Sequence, residues 1–154
     1  MGYTNYWHME KPLKIVAVQK KLIDYIISES HDVLDVTIND DKELHLNGIE
    51  ANSHEDLYFA YGKKLELSSG VKYEFGFCKT ARKPYDLAVC KILLVLCISD
   101  GFNISSDGAE KNGEGQIILT DGFWNEAIDW FAREGYGHVI ENKIYPYLNK
   151  PGNC

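Results

Sequence analysis

The amino-acid sequence predicts an α+β fold in which two or three helices cover an antiparallel β-sheet. Three observations support this expectation. Short apolar–polar alternations bounded by turn residues recur along the chain and are typical of antiparallel strands. Longer segments place apolar residues at three- and four-residue steps, which is typical of helices. No repeat or linker divides the 154 residues, so we expect a single domain over residues 1–154.

The first part of the chain predicts a strand, a helix, a hairpin and a further strand. Residues 3–8 alternate and are aromatic, as in a strand. Residues 12–30 begin with a proline and carry one wide apolar stripe, which predicts a helix. Residues 33–38 and 44–49 alternate on both sides of an Asn-Asp-Asp turn and predict a hairpin. The segment 57–61 predicts another strand.

The most apolar part of the chain follows a second predicted hairpin. Residues 65–67 and 73–78 flank a Ser-Ser-Gly turn and predict its two strands. Residues 84–99 then predict a helix that packs its apolar bulk onto the sheet. Pro84 suits the first position of that helix, and Gly101 suits its C-cap.

The last third of the chain predicts a short strand, a mobile loop and a third helix. Residues 102–105 are the predicted strand, and the polar, glycine-rich residues 109–116 are the predicted mobile loop. Asp121 is a suitable cap for a helix over 123–134, where tryptophan and phenylalanine form one face. The tail, 135–154, suits either a strand or a partner contact.

Composition narrows the classes of partner and location. The formal net charge is −7, which argues against non-specific binding to nucleic acid or to an anionic membrane. No apolar run is long enough to span a membrane, and the first residues lack the pattern of a signal peptide, so we expect a cytoplasmic protein. An acidic surface also leaves open a protein partner with a basic groove.

The four cysteines predict neither a metal site nor a structural disulfide. They show no C-x-x-C pair and no zinc-ligand spacing. Cys90 and Cys97 lie seven residues apart on the apolar helix, so we expect both in the core. We expect no cofactor.

Three segments are richer in polar and reactive side chains than a fold requires. They are residues 53–56, 78–86 and 105–108. Each follows or precedes a predicted strand, so we expect one edge of the sheet to bring them together. The candidate ligand-binding residues from these segments are His54, Glu55, Lys79, Thr80, Arg82, Tyr85, Ser106 and Asp107.

The basic turn before Pro84 is the sharpest chemical signal. Lys79, Arg82 and Lys83 precede a helix N-terminus, which itself carries partial positive charge. Cations are unfavourable there unless an anion neutralises them, so we expect Arg82 to clamp a phosphate or carboxylate. The competing interpretation is a solvated turn whose cations pair with nearby carboxylates. The aromatic residues available to stack on a base are Tyr73, Phe75, Phe77 and Tyr85.

Two residues are candidates for catalysis. His54 is flanked by two acids and a hydroxyl, which suits a general base. Cys78 stands beside cations that would lower its pKa, which suits a nucleophile, yet its place in a strand also suits the core. Asp107 would complete a Cys–His–Asp arrangement. Asp107 and Ser106 could instead hold a metal together with Glu55 and Asp56, although no motif spacing supports that role.

Four segments resemble, in order, the motifs of a family of small uncharacterised proteins encoded largely by bacteriophages. They are GYTNYW at 2–7, GIEANSHEDLYF at 48–59, FCKTARKPYDLAV at 77–89 and ISSDG at 104–108. The resemblance is loose beyond residue 109. It implies a phage origin, and small phage proteins of this kind are often anti-defence factors that sequester nucleotide signals or block a host protein.

We therefore expect a cytoplasmic protein that binds a phosphate-bearing, nucleotide-like small molecule and sequesters a host defence signal. Lys79, Thr80 and Arg82 are expected to hold phosphate, with Tyr85 or Trp7 stacked on the base. One alternative is a hydrolase or phosphodiesterase that uses the same pocket. The other is an acidic inhibitor of a host defence protein. Pockets of signal-binding proteins of this size are often shared between subunits, so we expect a homo-oligomer.

Overall fold

The computed structural model of the protein describes residues 3–40, 42–61, 74–111, 117–119, 122–143 and 145–146. The strands within these ranges are β1 Thr4–Met9, β2 Asp35–Ile38, β3 Glu43–Asn47, β4 Leu57–Ala60, β5 Glu74–Lys79, β6 Phe102–Ser106, β7 Ala109–Lys111, β8 Ile117–Leu119 and β9 Tyr145–Pro146. The α-helices are α1 Ala17–Glu29, α2 Asp86–Leu96, α3 Gly122–Phe131 and α4 Gly137–Lys143. This content confirms the predicted α+β fold.

The predicted antiparallel sheet is divided into two sheets of three strands. In the first sheet, β1 is the central strand and pairs antiparallel with β5 and β6. Its register sets Thr4 opposite Lys79 and Asn5 opposite Ser106. In the second sheet, β3 lies between β2 and β4, again antiparallel, which confirms the first predicted hairpin. A smaller sheet joins β7, β8 and β9, with β8 and β9 parallel.

The helix α2 is the centre of the hydrophobic core. Nine of its 11 residues are buried, because a helix that is apolar on every face must be enclosed by the fold. α1 and α3 both pack against it. Cys90 and Cys97 are buried there, as predicted. No helix in the described part of the chain is long and apolar enough to cross a membrane.

The helix α1 begins later than predicted, because the first apolar residues of the segment, such as Ile15, are buried in non-helical chain. The N-cap residue Val16 donates its amide to Gln19 Oε1 at 2.9 Å. Gln19 is fully buried, and its Nε2 donates to the carbonyl of Val95 at 3.1 Å and to Ser99 Oγ at 2.8 Å. One side chain therefore connects the start of α1 to the end of α2.

The C-terminal elements differ most from expectation. α3 ends at Phe131, and a π-helical turn, Ala132–Tyr136, leads into α4. Gly135 interrupts the helical backbone there with a φ of 101°, which glycine adopts readily. The first three residues of the predicted loop 109–116 form the strand β7. The other residues of that loop lie outside the described ranges. The predicted strand at 65–67 also lies outside them.

Candidate functional site

The first two polar segments meet where β4 begins and β5 ends. His54 Nδ1 donates a hydrogen bond to the carbonyl of Lys79 at 2.7 Å. The amide of Lys79 donates to Glu55 Oε1 at 3.0 Å, and the amide of Glu55 donates to the Lys79 carbonyl at 3.1 Å. The hydroxyl of Tyr85 donates to the carbonyl of Glu55 at 2.7 Å. The predicted convergence of these two segments is therefore present.

Asn47 holds the loop that carries His54. Its Oδ1 accepts the amides of Gly48 at 2.7 Å and His54 at 2.9 Å. Its Nδ2 donates to Asp56 Oδ1 at 2.7 Å and to the carbonyl of His54 at 3.0 Å. Sequence reasoning missed this residue. Its signal is the Asn-Gly pair directly after a strand, because asparagine side chains commonly bond the backbone of a following loop.

The second and third polar segments meet through Asn5 on β1. Asn5 Nδ2 donates to Asp86 Oδ1 at 2.7 Å, and Ser106 Oγ donates to Asn5 Oδ1 at 2.7 Å. Thr80 Oγ1 also donates to Asp86 Oδ1 at 2.7 Å. All four side chains are buried. We call Asn5, Thr80, Asp86 and Ser106 the buried polar cluster.

The buried polar cluster changes the interpretation of three candidate ligand-binding residues. Thr80, Tyr85 and Ser106 are enclosed by protein, so they support the fold and do not reach a ligand in this conformation. Asp86 lies in the first turn of α2 and places a carboxylate at that positively polarised helix end. The carboxylate of Asp86 thus supplies, at the N-terminus of α2, the negative charge that sequence reasoning assigned to a ligand. Asn5 was not predicted, although an asparagine inside an aromatic strand is a sign of such a cluster.

An open groove of about 740 Å³ lies between β4 and β5, beside the first meeting point. Aromatic residues from three strands line it: Trp7 on β1, Tyr58 on β4, and Phe75 and Phe77 on β5. Tyr58 and Phe75 are each 58% exposed and Phe77 is 49% exposed. Clustered apolar rings that stay in contact with solvent are typical of a binding surface.

Gly76 allows the floor of the groove to form. The indole ring of Trp7 lies so close to β5 that a Cβ at position 76 would be 2.4 Å from it. A glycine inside a strand often marks such a close approach. The Phe-Gly-Phe sequence of β5 therefore places Trp7 against the strand while Phe75 and Phe77 remain exposed.

One wall of the groove is acidic. Glu55 and Asp56 line it, together with His45. His45 stacks on the ring of Tyr58, with 5.3 Å between ring centres, and its Nδ1 lies 3.4 Å from Asp56 Oδ2. These carboxylates present hydrogen-bond acceptors beside the aromatic rings.

The basic turn follows β5 at the Phe77 end of the groove. Lys79 Nζ lies 6.0 Å from the centre of the Phe77 ring. The guanidinium of the exposed Arg82 lies 4.3 Å from the centre of the Tyr3 ring. Ala81 and Arg82 have φ values of 53° and 58°. Left-handed backbone costs a non-glycine residue roughly 1–3 kcal/mol and occurs preferentially at ligand sites.

Asp107, from the third polar segment, is bonded to β1. Its Oδ2 accepts the amide of Thr4 at 3.0 Å, and its Oδ1 accepts the hydroxyl of Tyr6 at 3.0 Å. The hydrogen bond to Asp107 raises the pKa of Tyr6 above its ordinary value. The ring of Tyr6 lies 6.0 Å from that of Phe75. Asp107 therefore orients an aromatic ring next to the groove.

Cys78 is not in a setting that favours a nucleophile. It is fully buried, and its Sγ lies 3.5 Å from the carbonyl of Glu55. Burial, together with the charges of Glu55 and Asp86, raises the pKa of the Cys78 thiol to about 12. Because the thiolate is the reactive form, this environment suppresses its reactivity at neutral pH.

The described residues contain no group of three or more His, Cys, Asp and Glu side chains that could hold a metal ion. Comparison of the chain with protein-family models, curated proteins and solved structures finds no match. A proposal of function is therefore argued from the geometry of the groove and the basic turn.

Proposed function

We propose that the protein binds a phosphate-bearing, nucleotide-like small molecule in the groove between β4 and β5. The observation that carries this proposal is an exposed aromatic ring beside a lysine. The Phe77 ring is half exposed. Lys79 Nζ lies over one side of it, 6.0 Å from its centre, where it is placed for the phosphate of a base stacked on the ring. The groove volume, about 740 Å³, falls in the range of small-molecule sites.

Each part of a nucleotide has a matching group in the site. Aromatic faces stack on every base, because every base has a π-face. The carboxylates of Glu55 and Asp56 accept hydrogen bonds and so suit the amino groups of a base or the hydroxyls of a ribose. Lys79 supplies a point charge for phosphate, and Arg82 supplies a planar fork. These cations create local positive charge on a chain whose net charge is −7.

The proposal includes capture of a host defence signal in the host cytoplasm by a homo-oligomer. The resemblance to bacteriophage proteins supports the biological setting. The buried, protonated thiol of Cys78 supports capture over chemistry at that residue. The groove is open to solvent, and a second subunit would cover a ligand bound there.

Ligand binding is expected to raise the thermal stability of the protein. The probes are nucleoside monophosphates, cyclic dinucleotides, ADP-ribose and inorganic phosphate, each at millimolar concentration. A ligand at a hundredfold excess over its dissociation constant stabilises the native state by about 2.7 kcal/mol. We expect the shift from the best nucleotide to be lost in Phe77→Ala and strongly reduced in Lys79→Ala. The matched control is Lys14→Ala, which removes another exposed lysine.

The control variant Lys14→Ala should show the same ligand-induced thermal shift as the parent protein. A panel in which no probe stabilises the protein would overturn the proposal and favour the acidic-inhibitor alternative. A shift that survives in Phe77→Ala would place the ligand outside this groove.

A phosphodiesterase or other hydrolase that uses the same groove is the second candidate, because the tautomer of His54 is fixed. The carbonyl of Lys79 can only accept, so in the neutral imidazole His54 Nδ1 carries the proton and Nε2 presents a lone pair. This is the form of histidine that acts as a general base. Lys79 would stabilise developing negative charge.

Incubation with the best-binding nucleotide separates capture from turnover. We expect chromatography to recover the ligand intact after prolonged incubation with excess protein. Accumulation of a hydrolysis product, lost in His54→Ala while the thermal shift is retained, would instead establish the hydrolase. His31→Ala is the control, because that exposed histidine also uses Nδ1 to bond a backbone carbonyl, that of Ser28.

A further inference from the structure

We propose that the site takes a ligand with two nucleobases, a dinucleotide, and that the second base stacks on the outer face of the first sheet. This inference rests on the proposed function. Its basis is a row of three rings, Tyr6, Phe75 and Phe77, which we call the aromatic row. The row extends from the groove across two neighbouring strands, and a mononucleotide would leave part of it uncovered.

The register of β1 and β5 builds the aromatic row. Tyr6 lies opposite Phe77, so its side chain and those of Phe75 and Phe77 fall on the same face of the sheet. The ring centres of Phe75 and Phe77 are 6.3 Å apart, and those of Tyr6 and Phe75 are 6.0 Å apart. Trp7 and Gly76 point to the opposite face, where the core lies.

The rings of the aromatic row are not stacked on one another. The planes of Tyr6 and Phe75 are tilted by 31°, and those of Phe75 and Phe77 by 40°. Phe75 and Phe77 are also about half exposed. Ring faces thus remain available to a ligand. The hydrogen bond from Tyr6 to Asp107 holds the end of the row in place, which makes Asp107 a positioning residue.

The spacing of the row selects the kind of ligand. Successive bases in a stacked helical strand are about 3.4 Å apart. Rings 6.3 Å apart therefore match two bases that are separated from each other, each lying on its own ring. A single-stranded dinucleotide can adopt this arrangement, and single-stranded ligands are commonly read with their bases splayed on aromatic side chains of a sheet.

Charge limits the length of the ligand. Lys79 lies at the Phe77 end of the row, where the first phosphate is expected. Asp107 bonds Thr4 on the side of β1 away from Lys79 and places a carboxylate beside Tyr6, which repels further phosphates there. A long strand would also meet a surface of net charge −7. These features favour two bases over an extended nucleic acid.

The test compares mononucleotides with dinucleotides by isothermal titration calorimetry on the full chain. The probes are AMP, GMP, CMP and UMP, the four matching 5′-phosphorylated homodinucleotides, and a hexanucleotide of the best-bound base. We expect the best dinucleotide to bind about tenfold more tightly than its mononucleotide. Phe75→Ala should weaken dinucleotide binding about tenfold and mononucleotide binding less, so that most of this difference is lost. Tyr25→Ala, which removes an exposed ring on α1, should change neither affinity.

Each of the other possible outcomes would overturn all or part of the inference. Equal affinities for both probe classes, or equal weakening of both by Phe75→Ala, would overturn the dinucleotide and leave the proposed function standing. A hexanucleotide that binds much more tightly than the dinucleotide would overturn the limit on length. A Phe75→Ala variant that changes oligomeric state in sedimentation would show that a second copy, and not a second base, covers the row, and would overturn the dinucleotide. Failure of every probe to bind would overturn the inference and the proposed function together.

Discussion

Asp86→Ala is expected to lower the free energy of unfolding by about 4 kcal/mol. The carboxylate of Asp86 accepts hydrogen bonds from Asn5 Nδ2 and Thr80 Oγ1 in a site without solvent contact. Alanine would leave two buried donors without this acceptor. Each buried polar group that loses its partner costs roughly 1–3 kcal/mol. The substitution also removes a negative charge from the first turn of α2, where the helix dipole favours it.

Urea denaturation measures this effect, with Asp129→Ala as the matched control. Asp129 is an exposed helical carboxylate whose ion pair with Arg133 spans 4.0 Å, and such surface pairs contribute little. We expect the control to remain within about 0.5 kcal/mol of the parent protein. Asp86→Asn keeps one oxygen acceptor and should fall between the two. If Asp86→Ala were as stable as the control, the cluster would not be a major contributor to stability.

Gly48→Ala is expected to cost about 3 kcal/mol, because the added methyl group has no space. A Cβ at this position would lie 1.9 Å from the backbone oxygen of Asn52 and 2.9 Å from the ring of the buried Tyr85. Backbone atoms cannot turn away as a flexible side chain can. The loop must therefore shift. The hydrogen bond that Asn47 Oδ1 accepts from the amide of His54 and the one that Asn47 Nδ2 donates to Asp56 would both be disturbed.

Gly137→Ala is the matched control for this substitution. A Cβ there meets nothing within 4 Å, and the residue has helical φ and ψ values of −55° and −32°. Because alanine favours helix over glycine, we expect no loss and a gain of up to about 1 kcal/mol. Thermal and urea unfolding of the two variants provide the comparison. Similar stabilities for both would contradict the close packing of Gly48 against the loop.

The elements of the fold were predictable because their patterns are local. The apolar run from Ile92 to Leu96 indicates a buried segment. Apolar and polar residues alternate on both sides of the turn at Asn39, which indicates a hairpin. The start of α1 was not predictable in the same way. Ile15 carries the helical spacing, but it is buried in non-helical chain, so tertiary packing overrides the local pattern there.

The site was predictable only in part. The meeting of His54 with Lys79 follows from two polar segments at adjacent strand ends, and it was expected. The groove was not. Trp7 and Phe75 come from paired strands of the first sheet and Tyr58 comes from the second sheet, and the sequence states neither the pairing nor which sheet edges lie side by side. Tyr85 was assigned to a ligand because it follows a basic turn. Its ring is buried instead, since the turn directs it beneath the 47–56 loop.

The central position of β1 in its sheet affects how the protein is made. Thr4 pairs with Lys79, and Asn5 pairs with Ser106, so both neighbours of this strand are synthesised long after it. At about 5–20 residues per second, the ribosome needs several seconds or more to deliver them. During that interval an aromatic strand with unpaired edges leaves the exit tunnel, and such strands are prone to aggregation. The nascent chain is therefore most exposed to misassembly, and to chaperones, before its last third has been translated.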